Sequence, residues 1–357
     1  MIFMNTSILA AILLPSVITF IIGIAISFPI TRWLYKNKIW KKKSVLLAID
    51  GKPAEITARL HNDENIKTPR MGGLIIWISV LATASIFYLL RKFTSVDFFH
   101  KLDFTSRSQT WLPLTSILFG GILGAIDDLS VVDYFKKAGA YIGGGLSLKV
   151  RLFCVFLISL FVAYWFIYKL GMSSISIPFY GDLFLSSVIF AIVLILFMLA
   201  TYAGGVIDGV DGLSGGVMMA IYSAYGVIAV TRYQLDTAAL CFVIASGILA
   251  FLWFNIPPAK FYNMETGMTP LLLTIVIIAY LVDGIAYLPV IGFLLYATVA
   301  SVIIQLLSKK FRGKKVFLVA PVHHHFEAIG WPNYKVTMRY WIVAYLCAML
   351  GVVLSFL

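Results

Sequence analysis

Asp127 and Asp128 are adjacent, closing an uncharged stretch that reads Gly124-Ala125-Ile126-Asp127-Asp128. Neighbouring carboxylates repel each other, so one of them is hard to ionise unless a cation stands nearby. A second acidic pair lies in Asp208-Gly209-Val210-Asp211-Gly212-Leu213, with further glycines on both sides. Three-residue spacing would put Asp208 and Asp211 on one face of a helical turn, and the glycines let backbone N–H groups approach a ligand closely. Glu265 ends the segment that begins at Asn255, in which Tyr262 has an aromatic face to stack on a base and Asn255 an amide to read its edge. Three of the five histidines are consecutive, in Ala320-Pro321-Val322-His323-His324-His325-Phe326-Glu327. Successive side chains on a helix diverge, so the three are not expected on a single metal. They fit donors to phosphate oxygens, or a proton carrier near neutral pH.

Each motif has a plainer reading taken alone: a helix end reaching water, a glycine-rich turn, an interfacial aromatic. Together they describe a chemistry. Oxygen ligands with few sulfur partners favour a hard cation such as Mg²⁺, held by one or two carboxylates and by substrate phosphates. Phosphoryl transfer requires such a cation, a base for the attacking oxygen and positive groups around the pyrophosphate.

The elements that must carry these residues are membrane helices. Of 357 residues 61% are hydrophobic and 12% charged, about half the charge of an average soluble domain. Ten uncharged intervals, 1–31, 71–90, 108–126, 152–168, 183–207, 212–231, 237–259, 266–282, 284–308 and 340–357, each approach the roughly 20 residues a helix needs to cross hydrocarbon. The expectation is an all-α polytopic membrane protein, a single integral-membrane domain over 1–357 with ten spans and both termini on one side. With the N-terminus outside, the inner loops 32–70, 128–149, 204–212, 255–268 and 309–336 hold twenty Lys and Arg, against six in the outer loops. Cationic loops are retained in the cytoplasm, so both termini are placed outside and the acidic and histidine motifs inside. The first interval reads as a retained helix rather than a signal peptide. The net charge of +12 is accounted for by basic loops against anionic lipid, and nucleic acid is not expected as a partner. Cys154, Cys241 and Cys347 lie far apart in apolar stretches with neither metal nor disulfide spacing. A cation or proton transporter is the reading from another class, and it fits poorly because the charges gather in loops rather than near mid-span.

At these motifs the sequence resembles the phospho-N-acetylmuramoyl-pentapeptide transferases of the polyprenyl-phosphate hexosamine-1-phosphate transferase superfamily. The resemblance rests on Thr68-Pro69-Arg70-Met71-Gly72-Gly73, Asp127-Asp128, Gly145-Leu146-Ser147-Leu148-Lys149, Asp208 to Leu213, Phe251-Leu252-Trp253-Phe254-Asn255 and Ala320 to His325. It implies a ten-helix, homodimeric enzyme of the bacterial cytoplasmic (inner) membrane. With Mg²⁺, such an enzyme moves phospho-MurNAc-pentapeptide from UDP-MurNAc-pentapeptide to undecaprenyl phosphate, giving lipid I and UMP; a relative using UDP-GlcNAc or another UDP-sugar is the alternative. By the same resemblance Asp127, Asp128, Asp208 and His324 are catalytic, one of the first two taking a proton from the lipid phosphate. Asp208 and Glu265 would hold the metal. Lys67, Lys149, Gly209, Asp211, Asn255, Tyr262, His323 and His325 would bind substrate, with Tyr262 stacked on uracil. The sequence departs from the family pattern at Gly205, where an Asn is usual, at Glu265, where an Asp is usual, and before Thr68, where Lys67 alone remains of a more basic run.

Overall fold

The computed structural model describes residues 6–40, 67–105, 108–132 and 145–357. Among them, ten helices are long and apolar enough to cross a membrane: α1 (Thr6–Lys36), α2 (Leu74–Phe93), α3 (Ser108–Val131), α4 (Leu148–Tyr164), α5 (Ser187–Ala203), α6 (Leu213–Thr231), α7 (Leu235–Asn255), α8 (Met264–Leu281), α9 (Phe293–Arg312) and α10 (Asn333–Leu354). They fall on the ten expected intervals. Parts of the loops expected at 32–70 and 128–149 lie outside the described residues.

Sequence composition predicts which helices are central. Small residues permit close approach of backbones in a bilayer, and α6 buries Ser214, Gly215, Gly216, Ala220, Ala224, Gly226 and Ala229. The α7 helix buries Ala238, Ala239, Ala245, Gly247 and Ala250, and nearly every residue of α8 from Thr266 to Leu281 is buried. By contrast α4 leaves Phe153, Leu157, Leu160 and Phe161 exposed, as expected of a helix facing lipid.

The connections sort onto two ends, as an up-and-down bundle demands. After odd-numbered helices, Arg70 bonds Asp128, Leu146 bonds Asp127, Gly212 bonds Asn255 and Met264 bonds Asp208. At the opposite end, Asp283 accepts from the amide of Ser176 at 3.3 Å, Arg232 donates to the carbonyl of Val282, and Gln234 donates to Leu281 O at 2.9 Å. Burial holds the Asp283 carboxyl above its ordinary value.

Two features depart from the expected helices. Ser174–Ile177 and Gly181–Phe184 pair as an antiparallel hairpin between α4 and α5. The stretch 284–308 is not one helix: short turns over Ile285–Tyr287 and Leu288–Ile291 precede Gly292, and only then does α9 begin.

Close approach of α3 and α8 sets the site end of the bundle. A Cβ at Gly124 would collide with the backbone carbonyl of Glu265, and a backbone cannot rotate aside as a side chain can. Gly124→Ala is therefore expected to destabilise the protein by about 1–3 kcal/mol, the usual range for overpacking. A lowered thermal midpoint in detergent, with Ile126→Ala at the neighbouring exposed position unchanged, checks this.

Candidate active site

Helix α8 begins without a side-chain cap of its own, since Asn263 makes no capping hydrogen bond. The first amides of a helix have no partner within it, and two carboxylates take them, one from the end of α3 and one from the loop after α5. Asp208 Oδ2 accepts from Met264 N at 2.7 Å. Asp128 Oδ2 accepts from Thr266 N at 2.9 Å and from its hydroxyl at 2.6 Å. The partial positive charge of a helix N-terminus favours anions there, so α8 both receives the carboxylates and fixes their positions.

Arginines complete the network. Arg70 donates through Nε and Nη2 to Asp128 Oδ1 at 3.2 and 2.9 Å. Arg151 places Nη1 2.8 Å from Glu265 Oε1 and 3.6 Å from Asp127 Oδ2. Thr269 donates to Glu265 Oε2 at 2.9 Å, and Leu146 N to Asp127 Oδ1 at 2.6 Å. Asp127 and Asp128 are both buried. The adjacent carboxylates thus diverge to different cations, which answers the repulsion their adjacency creates. Asp208 Oδ1 accepts from Ser214 at 2.5 Å; burial raises the Asp208 carboxyl from its ordinary value, and its two donors oppose that shift.

Asp127, Asp128, Asp208 and Glu265 outnumber Arg70 and Arg151 by two charges, and every donor is an oxygen, a set that fits a hard divalent cation. Among the described residues no three His, Cys, Asp or Glu side chains stand together at ligating spacing.

The Asp-Gly loop differs from the expected helical turn. Asp208 is the centre of an inverse γ-turn (φ −79°, ψ 62°), with Gly209 N donating to Ile207 O at 2.9 Å, and Gly212 is left-handed (φ 73°), so the two aspartates do not share a face. Asp208 turns to α8, whereas Asp211 accepts from the amide of Ala259 at 3.0 Å. This loop meets the histidines through a glycine. A Cβ at Gly209 would lie 2.6 Å from Nε2 of His323 and 2.8 Å from Nε2 of His324. Those two rings are in edge contact, with centroids 4.3 Å apart. His324 Nδ1 contacts Glu327 Oε2 at 2.5 Å, a buried carboxylate that orients the ring. His325 diverges, its Nδ1 accepting from Leu318 N at 3.3 Å. Two of the three histidines therefore reach the loop, on the short helix Val322–Ala328.

Asn255 is buried and bridges backbone groups: its oxygen accepts from Gly212 N at 3.0 Å and its amide donates to Phe261 O at 2.8 Å. It ties the Asp-Gly loop to the segment carrying Tyr262. The Tyr262 phenol is raised to about 12, chiefly by burial and then by the charge of Asp211, and it hydrogen-bonds Thr68. Lys67, beside Thr68, is exposed. Lys149 is exposed as well, and Arg151, two residues on, makes the ion pairs.

Arg70, Arg151, Thr266, Thr269 and Glu327 are therefore site residues that sequence reasoning left without a role, as is Tyr202, which hydrogen-bonds Arg151 and Thr269. Arg70 stood within a quoted motif, and Arg151 at a helix end two residues beyond another. A cation next to a pair of buried carboxylates was the available signal.

Carboxylates, arginines and imidazoles gathered at one end of a ten-helix bundle define a membrane transferase, and residues 110–283 match the model described as Glycosyl transferase family 4. Among curated proteins, the chain is 32% identical to "Phospho-N-acetylmuramoyl-pentapeptide-transferase" of Geobacillus sp. (strain WCH70), covering 80% of this chain and 83% of the relative. The protein of the same name from Anoxybacillus flavithermus (strain DSM 21510 / WK1) is 35% identical over the same shares. That of Francisella philomiragia subsp. philomiragia is 28% identical over 96% of this chain and 92% of its own length. The chain belongs to the phospho-N-acetylmuramoyl-pentapeptide-transferase family.

Removing Arg70 leaves the Asp128 charge buried and uncompensated, a loss of about 3–5 kcal/mol. Arg70→Gln is expected to lower the unfolding midpoint sharply. Adding Asp128→Asn should restore much of the midpoint without restoring turnover; equal midpoints for wild type and Arg70→Gln would remove the pairing argument.

Proposed function

We propose that this protein transfers phospho-MurNAc-pentapeptide from UDP-MurNAc-pentapeptide to undecaprenyl phosphate, forming lipid I and releasing UMP, at the cytoplasmic face of a bacterial inner membrane. The observation that carries the reading is the convergence of Asp128, at the end of α3, and Asp208, in the loop after α5, on the amides of Thr266 and Met264, with His323 and His324 against the same loop at Gly209. The names of the relatives support it independently.

Asp127 is the better base of the adjacent pair. Both oxygens of Asp128 are saturated by Arg70 and Thr266, whereas Asp127 Oδ2 has one long contact, 3.6 Å to Arg151. It has capacity to accept the proton of the lipid phosphate. Arg151 stands beside it as a counter-cation, and His324, oriented by Glu327, faces the Asp-Gly loop as a donor to phosphate oxygens. Tyr262, Asp211 and Lys67 form the end of the site assigned to the uridine, in a frame fixed by Asn255. Bound Mg²⁺, held by Asp208 and Glu265, would neutralise charge on the pyrophosphate.

Purified protein given UDP-MurNAc-pentapeptide, undecaprenyl phosphate and Mg²⁺ is expected to release UMP, at least 100-fold more slowly in Asp127→Asn and Asp208→Asn, the scale on which loss of general-base catalysis acts. No UMP release, beside an active control enzyme, would sink the substrate assignment. A screen of UDP-GlcNAc and other UDP-sugars in the same assay distinguishes the relative with another sugar.

A further inference from the structure

Outside the carboxylate cluster, the first turns of α10 carry two cations that the transfer chemistry does not use. Arg339 places its guanidinium carbon 4.1 Å from the ring centroid of Trp331, and Lys335 places Nζ 5.1 Å from the same ring. Phe326, on the histidine-bearing helix, stacks against that indole with centroids 4.8 Å apart and planes 18° from parallel. Among the described residues neither cation pairs with an acid. Cation–π contact stabilises each charge, yet two like charges on one indole repel each other, and an anion between them removes that cost.

The helix shows where such an anion comes from. Lys335 and Arg339 are four residues apart and share a face. Continuing at the same spacing, Ile342, Leu346, Met349 and Val353 are 61%, 56%, 58% and 54% exposed. A cationic head therefore sits above an unbroken apolar stripe on one helix. The opposite face of the same turns holds the active-site loop, where Thr337 donates to Asp211 O at 2.8 Å and Trp341 to Gly212 O at 3.0 Å. A phosphate on Lys335 and Arg339 would lie about one helix diameter, roughly 10 Å, from that loop.

We propose that Lys335 and Arg339, mounted on Trp331, form a binding site for a lipid-borne phosphate whose hydrocarbon chain lies along Ile342, Leu346 and Val353. Guanidinium and ammonium groups make charge-assisted hydrogen bonds to phosphate oxygens, and the stripe supplies the apolar burial that a soluble phosphate could not use. The Phe326 stack connects the site to the helix of His323 and His324, so occupancy and the position of those rings are coupled. The site is defined by binding and stands on its own geometry; only its link to turnover rests on the function proposed above.

Native mass spectrometry of the purified full chain, reconstituted in phosphatidylcholine nanodiscs doped with polyprenyl monophosphate or with phosphatidylglycerol, tests it. Wild type is expected to retain at least one of the two anionic lipids about tenfold more tightly than K335Q/R339Q, the scale of one charge-assisted hydrogen bond. Loss confined to polyprenyl monophosphate identifies the acceptor substrate as occupant, and loss confined to phosphatidylglycerol a membrane phospholipid. Arg339→Lys, which keeps the charge, should retain most of the binding. Equal retention of both lipids by wild type and by K335Q/R339Q, with matching thermal midpoints, overturns the proposal. Because the readout is retention and not UMP release, this failure is distinct from failure of the transferase reading.

Discussion

Charge held at the N-terminus of α8 organises this protein. Four carboxylates brought to one end of an apolar bundle would cost several kcal/mol apiece if left unmatched. The fold matches them in two ways: the free amides of Met264 and Thr266 donate to Asp208 and Asp128, and Arg70 and Arg151 provide cations. The partners come from three places, Arg70 before α2, Arg151 on α4 and the first turn of α8, so the charge balance exists only when these meet α3 and the loop after α5. The same interactions that stabilise this end of the bundle assemble the site.

Glycine makes that assembly possible at two points. Gly124 lets α3 lie directly against the backbone at Glu265, and Gly209 leaves room for the imidazoles of His323 and His324. The space a Cβ would fill is taken by the backbone at Glu265 in the first case and by the imidazoles in the second. The helix lost to glycine, roughly 1 kcal/mol relative to alanine in a helix interior, is offset by the contacts that close approach permits.

Ten spans were legible because uncharged intervals near 20 residues have one physical solution in lipid. That the motifs share one end of the bundle was legible too, from the alternation of spans and loops. Less visible were the partners. Arg151 lies outside every motif the sequence offers, and nothing in one sequence says that it reaches Glu265, 114 positions away. The Asp208 and Asp211 spacing suggested a shared face, but Asp208, at φ −79° and ψ 62°, leaves the helical region and no regular turn joins them. The hairpin at 174–184 escaped because two runs of four residues carry too little periodicity to mark a strand.

Asn255 shows how a residue type can point to a site while its role lies elsewhere. An amide beside an aromatic suggests base recognition, yet both ends of this amide hold backbone, at Gly212 and Phe261. Its effect on a bound base runs through Tyr262, one residue beyond the carbonyl it grips. A buried amide that has lost its partners leaves polar groups exposed to an apolar interior. Substitution there would disturb the Asp-Gly loop and the Tyr262 segment together, and loss of activity in such a variant would not by itself identify a ligand contact. The carboxylates differ in this respect: Asp127 has an oxygen that the fold leaves nearly unused, and capacity left over after structural needs are met separates a reacting group from a framing one.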